Sequence, residues 1–303
     1  MSAPAAPVAA TPTPAPAPTG RGGRRRGSAF VGTVPFLLYT GLFLLLPTAI
    51  ILIGSFQDGS GGFTLANIKA MGDPATMDAL WNSVVLSLVT AVVGAVIGGV
   101  LAYVLTTGAP GGALRRLVTA ACSVLAQFGG ALLAFAFIAT LGTNGLVTRA
   151  LASSLGITID PNYLSTLSGF IPVYLYFQIP LMVIVFLPAV DGIRPQWREA
   201  CETLGGSTWA FWRHVGGPLL LPPFLGSVLL LFANAFSAYA TAATLVSQYN
   251  PLIALQIRGA LISETGLGAP NFAKALALLM VLVVGVMMAL YYLLQRRASR
   301  WLR

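Results

Sequence analysis

Most of the chemistry-bearing side chains in the middle of this sequence crowd into one stretch, REACETLGGSTWAFWRHVGGP, running from Arg198 to Pro218. Arg198, Glu199, Cys201, Glu202, Arg213 and His214 are types that serve acid–base, thiolate or metal chemistry. Their company argues otherwise. His214 is the sole histidine and has no second ligand nearby, and no acid, base and nucleophile converge as a catalytic site requires. The spacing instead encodes local structure. Pro195 suits a first helical position, where its missing N–H would be unpaired anyway. Trp197, Cys201 and Leu204 then fall on one apolar stripe, while Arg198 and Glu202 pair one turn apart on another face. Gly205 and Gly206 end that helix with a left-handed cap. Ser207 caps a second short helix carrying Trp209, Phe211 and Trp212, and Pro218 is expected to start the next long helix. The prediction is a two-helix hairpin with aromatic knobs. Tryptophan and arginine are also ordinary anchors at a membrane face, so interface anchoring and protein docking both remain open from these residues.

The elements around the hairpin are those of a membrane protein. Of 303 residues, 56% are hydrophobic and only 8% charged, against a globular norm of about 25% charged. Six apolar runs are long enough to cross a hydrocarbon core: Val34–Ser55, Leu80–Leu105, Leu117–Leu141, Leu167–Val190, Pro218–Leu245 and Ala273–Leu294. Each is too long and too uniformly apolar for a barrel strand. The expected fold is an all-α bundle of six transmembrane helices over residues 28–295, with the hairpin in a polar loop, 191–217. Residues 1–27, rich in proline and alanine and ending in arginines, are expected to form a disordered tail, and 296–303 a basic C-terminus. A cleaved signal is the weaker reading of the first residues, because the apolar run is long and no small-residue cleavage site follows promptly.

Charge sets the orientation. Of the 17 Lys and Arg, 13 fall in segments on the side of the N-terminal tail, including Arg24, Arg115, Arg194, Arg198, Arg213 and Arg296. The other four are Lys69, Arg149, Arg258 and Lys274. The positive-inside rule then puts both termini and the hairpin in the cytoplasm. The net charge of +9 is accounted for by anionic inner-leaflet lipid, without nucleic acid. By this sorting no ionisable residue lies deep in a span, which argues against an ion-driven carrier. No glycine-rich loop ending in Lys and Ser or Thr is present, so the chain has no nucleotide site of its own. Energy for uphill transport would have to come from a partner.

The hairpin resembles the loop of permease subunits of binding-protein-dependent ABC importers of the type I fold, the methionine-importer-permease-like group. That signature reads Glu-Ala-Ala, three residues, Gly, nine residues, Ile-x-Leu-Pro. Glu199, Ala200, Gly205 and Pro218 match in place, and Val215 stands for Ile. Cys201 replaces the second Ala, and Gly217 replaces Leu. The resemblance implies a core of five helices, about Ala79 to Leu294, preceded by one more. It implies that Glu199, Ala200, Cys201, Glu202, Gly205, Trp209, Arg213 and Pro218 couple the chain to an ATPase. It further implies two ATPase subunits that bind ATP and Mg, a second permease, an extracellular or periplasmic solute-binding protein, a bacterial inner membrane, and no cofactor in this chain. The loop looks closer to the polyamine, iron and phosphonate group than to the sugar or glycerol-phosphate group, whose Asp before the Gly is Leu204 here. A passive channel or structural membrane subunit is the alternative of a different class.

Candidates for lining a solute path are fewer. Asn234, Ser237 and Thr241 share a helical face, with Phe236 and Tyr239 beside them, although small and hydroxyl residues also serve helix packing. Tyr174 and Gln178 lie in a run containing Pro172, Pro180 and Pro188, whose kinks would either open a cavity or merely bend a structural helix. Phe236 and Tyr239 would suit a cationic solute. Gly94 and Gly98 are expected to let helices approach closely. Cys122 and Cys201 are too separated for a disulfide, and GLVTRALASSLGI is expected to lie along the outer surface.

Overall fold

The structure, a computed structural model, describes residues 26–108, 112–156, 158–246, 252–262 and 270–298. The expected tail up to residue 25 and residues 299–303 lie outside the described residues. Among the described residues the regular elements are helices, and six runs are long and apolar enough to cross a membrane: Thr33–Gly54, Pro74–Thr107, Gly130–Leu155, Leu167–Asp191, Thr208–Phe236 and Pro270–Arg296.

Of the described residues, those from Arg26 to Ile50 form one unit and those from Ile51 on another. The first contains α1 (Arg26–Thr40), a π-helical turn at Gly41–Leu45 and the start of α2 (Leu46–Gly54). The wide turn precedes Pro47, whose ring would otherwise press on the carbonyl four residues back. The Leu46 N–H reaches five residues back, to the Gly41 carbonyl, and the helix continues.

The second unit contains α3 (Ala66–Ala70), α4 (Pro74–Thr107), α5 (Ala113–Gln127), α6 (Gly130–Leu141), α7 (Leu146–Leu155), α8 (Leu167–Asp191), α9 (Pro195–Thr203), α10 (Thr208–Phe211), α11 (Gly217–Phe236), α12 (Tyr239–Leu245), α13 (Ile253–Ile262) and α14 (Pro270–Ala298). Helix α8 lies at its centre, against α4, α5 and α11. It is apolar all round and therefore buries best on all sides; its apolar window is 56% buried, more than that of any other run. Its three prolines thus lie inside a buried core helix. The close approach of α4 depends on small residues: a Cβ on Gly98 would stand 2.6 Å from the Met182 Cβ. Packing this tight is what glycine in a membrane helix serves.

Two expected spans are not single helices. The run Leu117–Leu141 breaks at Phe128 and Gly129, and Gly130 takes a φ of +72° that a side chain would resist. Amphipathic α5 stands apart from α6, and the long apolar run in this region is Gly130–Leu155, with α7 continuing after a turn at Gly142–Gly145. The run Pro218–Leu245 breaks at Ser237 and Ala238, between α11 and α12. The common face expected for Asn234, Ser237 and Thr241 is therefore lost. A third correction concerns Pro218. It starts no new helix, because Thr208–Phe236 is one run whose middle passes through a π-helical turn at Trp212–Gly216.

Candidate functional site

The hairpin has the predicted anatomy. Pro195 is the first residue of α9, and the Arg198 Nε donates to the Glu202 Oε1 at 2.9 Å. Helix α9 then ends in a Schellman turn. The Gly205 N–H donates to the Glu202 carbonyl (3.0 Å), the Gly206 N–H to the Cys201 carbonyl (2.8 Å), and Gly205 has a φ of +79°. The Ser207 hydroxyl accepts from the Ala210 N–H, capping α10. His214 turns its Nδ1 to the Ala210 carbonyl of its own helix.

Two anchors fix the hairpin to the bundle. Phe211 is buried, and the Trp212 ring meets Tyr103 of α4 edge-on with centroids 5.2 Å apart. Arg115, in the first turn of α5, pairs with Asp191, the last residue of α8. The outer part of the hairpin is bare. Glu199, Ala200, Glu202, Gly205 and Arg213 are exposed, Cys201 is half-buried, and the apolar side chains of Leu204 and Trp209 are 89% and 73% exposed. Behind α9, Trp197, Cys201, Leu204, Val215 and Leu219 line an apolar pocket of about 540 Å³.

Gly217, where the signature carries Leu, has a local reason. In the π-helical turn its N–H donates to the Trp212 carbonyl, and a Cβ there would lie 2.5 Å from that oxygen. The wide turn accommodates Pro218, as the first wide turn accommodates Pro47.

At the other end of α11, twenty residues or about 30 Å away at 1.5 Å per residue, the six path candidates divide. Tyr174, Gln178 and Thr241 are buried at 1%, 0% and 2% exposure, and all three carry structure. The Tyr174 hydroxyl donates to the Ala238 carbonyl (3.0 Å) in the break of the fifth run. The Thr241 Oγ1 accepts from the Gly130 N–H (3.0 Å) in the break of the third. In lipid a freed backbone group has no water to turn to, so each break is satisfied by a side chain from across the bundle. The Gln178 Nε2 donates to the Thr90 Oγ1 at 3.1 Å, inside the contact of α4 with α8. Asn234, Ser237 and Tyr239 are exposed.

Arg258, which the sequence places in an outer loop, is on α13, a helix packed against α4 and α14. The Ser83 hydroxyl pins its first turn by accepting from the Ile253 N–H at 2.9 Å, and the Gln256 Nε2 donates to the Ala75 carbonyl. Ser237, Tyr239, Ile257, Arg258, Leu261 and Met280 share a pocket of about 410 Å³. An arginine in the decamer IALQIRGALI, which is apolar but for it and Gln256, is the available sequence signal for this site.

Residues 158–303 match the family described as binding-protein-dependent transport system inner membrane component. Over 209 residues, 68% of this chain and 71% of the relative, the sequence is 27% identical to the sulfate transport system permease protein CysW of Synechocystis sp.. A bacterial ABC transporter involved in the import of the acidic polysaccharide alginate has the same fold, with a TM-score of 0.71, 16% identity, and 90% of this chain and 96% of that one covered. A second structure, of the bacterial alginate transporter in complex with an alginate pentasaccharide-bound periplasmic protein, overlays with a TM-score of 0.70 at 16% identity, again covering 90% and 96%. The family match begins ahead of α8 and takes in the whole hairpin, α11 and α14. Residues 158–303 thus carry the pattern of the binding-protein-dependent transport system inner membrane components, and the chain as a whole has the fold of the ABC transporter chains it overlays.

Proposed function

We propose that this chain is an ABC importer permease that couples to a pair of ATPase subunits through the hairpin, with both termini and α9 on the cytoplasmic side. The observation that carries this reading is a bare, rigidly capped two-helix projection continuous with a spanning helix. Glu199, Ala200, Cys201, Glu202, Gly205, Trp209 and Arg213 lie on its two short helices and the turn between them, and Pro218 follows in the same run that reaches Phe236. Exposed tryptophan and leucine beside a charged pair are the composition of a docking surface, with apolar anchors and a polar rim. A displacement of the hairpin would pass along α11 to the break at Ser237. ATP and Mg belong to the ATPase partners. A second permease chain completes the path, and a solute-binding protein delivers the solute from outside.

The solute is taken to be an anion. The names of the relatives support this, since sulfate and alginate are both anionic, and so does the pocket that holds Arg258. Of the polyamine, iron and phosphonate solutes suggested by the form of the loop, phosphonate is the one that agrees.

The coupling role is tested in the reconstituted assembly by Glu199→Lys, a charge reversal at an exposed position. ATP hydrolysis stimulated by the solute-loaded binding protein should fall roughly tenfold or more, as expected when like charges are forced together across an interface. Membrane insertion should be unchanged. Normal stimulation in this variant would refute the role.

A further inference from the structure

Charge on this chain is scarce, and at the end remote from the hairpin Lys274 and Asp58 are engaged by residues near them in sequence. The Lys274 ammonium donates to the Asn271 Oδ1, and the Asp58 carboxylate closes its own loop through Ser60 and Gly62. Arg258 differs. It is exposed, and among the described residues the ion pairs are those of Arg115 with Asp191 and Arg198 with Glu202. Its helix is held on the bundle by Ser83 and Gln256, so the guanidinium has a fixed base. Of the side chains around the pocket, Ser237 and Tyr239 are polar, both lie at the break between α11 and α12, and the rest are apolar.

We propose that Arg258, with the Ser237 and Tyr239 hydroxyls, forms a binding site for an anionic solute on its way through the permease, and that the charge of Arg258 selects anions over cations. This rests on the importer reading above and gives it a substrate class. The chemistry fits an oxyanion or carboxylate. A guanidinium presents a fork of donors that matches such groups; the Tyr239 hydroxyl adds a donor, and the Ser237 hydroxyl, which donates to the Asn234 carbonyl (3.2 Å), would swing from it to the anion. Ile257, Leu261 and Met280 form the apolar wall of this pocket, and Arg258 is its charged group. The position suits transit as well. The break at Ser237 is where α11, continuous with the hairpin, stops being a rigid rod, so movement of α11 relative to α13 would change the distance between the hydroxyls and the guanidinium.

The test reads charge in the pocket without needing ATP. In membrane vesicles carrying the full assembly, Ser237→Cys is labelled with methanethiosulfonates of opposite charge, a sulfonate and a trimethylammonium, and modification of that peptide is followed by mass spectrometry. The sulfonate should be favoured, and Arg258→Gln should cut that preference by about tenfold, the loss expected for removing one nearby unscreened charge. Arg258→Lys, which keeps the charge, should retain most of the preference. Sulfate, at ionic strength matched with chloride, should slow labelling with Arg258 present and not in Arg258→Gln. A cysteine that stays unreactive, as under lipid or a partner chain, would overturn the site. So would a preference unchanged in Arg258→Gln, or labelling indifferent to sulfate. Failure of the importer reading would appear elsewhere, as normal ATPase stimulation in Glu199→Lys.

Discussion

At the hairpin, α9 stops because Gly205 takes a φ of +79° and the N–H groups of Gly205 and Gly206 fold back on the carbonyls of Glu202 and Cys201. At the other end of the bundle, α11 stops at Ser237 with no glycine in the break; the Ala238 carbonyl is satisfied by Tyr174, 64 residues away in sequence. The first stop is made from neighbours along the chain and is complete within a few residues. The second exists only once α8 has packed beside it. If the proposed coupling role holds, a projection that must keep its shape against a partner is built locally, and the break that would absorb a movement is held by contacts between distant segments.

The largest effect should come from forcing the local end to follow the family's consensus. Gly217→Leu restores the signature residue, but its Cβ would meet the Trp212 carbonyl at 2.5 Å, so the π-helical turn must shift or unwind. Overpacking of this kind costs about 3 kcal/mol. The expected result is a clear drop in thermal stability of the detergent-solubilised chain, with the hairpin affected first. An unchanged melting temperature would mean that the turn is not set by the glycine, and the claim of local determination would weaken.

The remote end should respond to changes distant in sequence. Tyr174→Phe removes the donor to the Ala238 carbonyl, and Thr241→Val the acceptor for the Gly130 N–H. Each leaves a backbone group unsatisfied in an apolar setting, at a cost of about 1–3 kcal/mol. Both variants should melt earlier, with hydrogen exchange rising at α12 for the first and at the start of α6 for the second. Unaltered exchange in both would show the breaks to be held by something other than these hydroxyls.

The same contrast explains what could be read from the sequence. Composition and run length sufficed for six helical crossings, because a bilayer imposes one length on all of them. The hairpin was legible residue by residue, since Pro195, Ser207 and Gly205 each act on their immediate neighbours. The breaks in the third and fifth runs were not. Gly129 and Gly130 lie in an apolar stretch where glycine is also compatible with a continuous helix, and nothing near Ser237 marks a stop. Tyr174, Gln178 and Thr241 looked like path residues because polar side chains in a membrane helix suggest function. The structure uses them to satisfy backbone and to join helices. The π-helical turns left a faint mark in retrospect, each lying just before a proline inside a long run. Arg258 reads in the sequence only as a charge on the outer side, because the short helix that positions it is too brief to span.

The smallest effect separates two explanations of the hairpin's rigidity. Arg198 and Glu202 form its one internal ion pair among the described residues, and their side chains are 55% and 52% exposed. An exposed pair one turn apart contributes about 0.3–0.5 kcal/mol, and less as salt is raised. Arg198→Ala should therefore leave the melting temperature of the chain nearly unchanged at physiological ionic strength, with any difference vanishing in high salt. If it instead destabilised α9 as much as the loss of a buried cap, with hydrogen exchange rising along Pro195–Thr203, the pair and not the Schellman turn would be holding the helix. The outcome expected here leaves Glu202 free of structural duty, so that under the proposed coupling role its charge would act as a rim charge, whose loss slows association and leaves the fold intact.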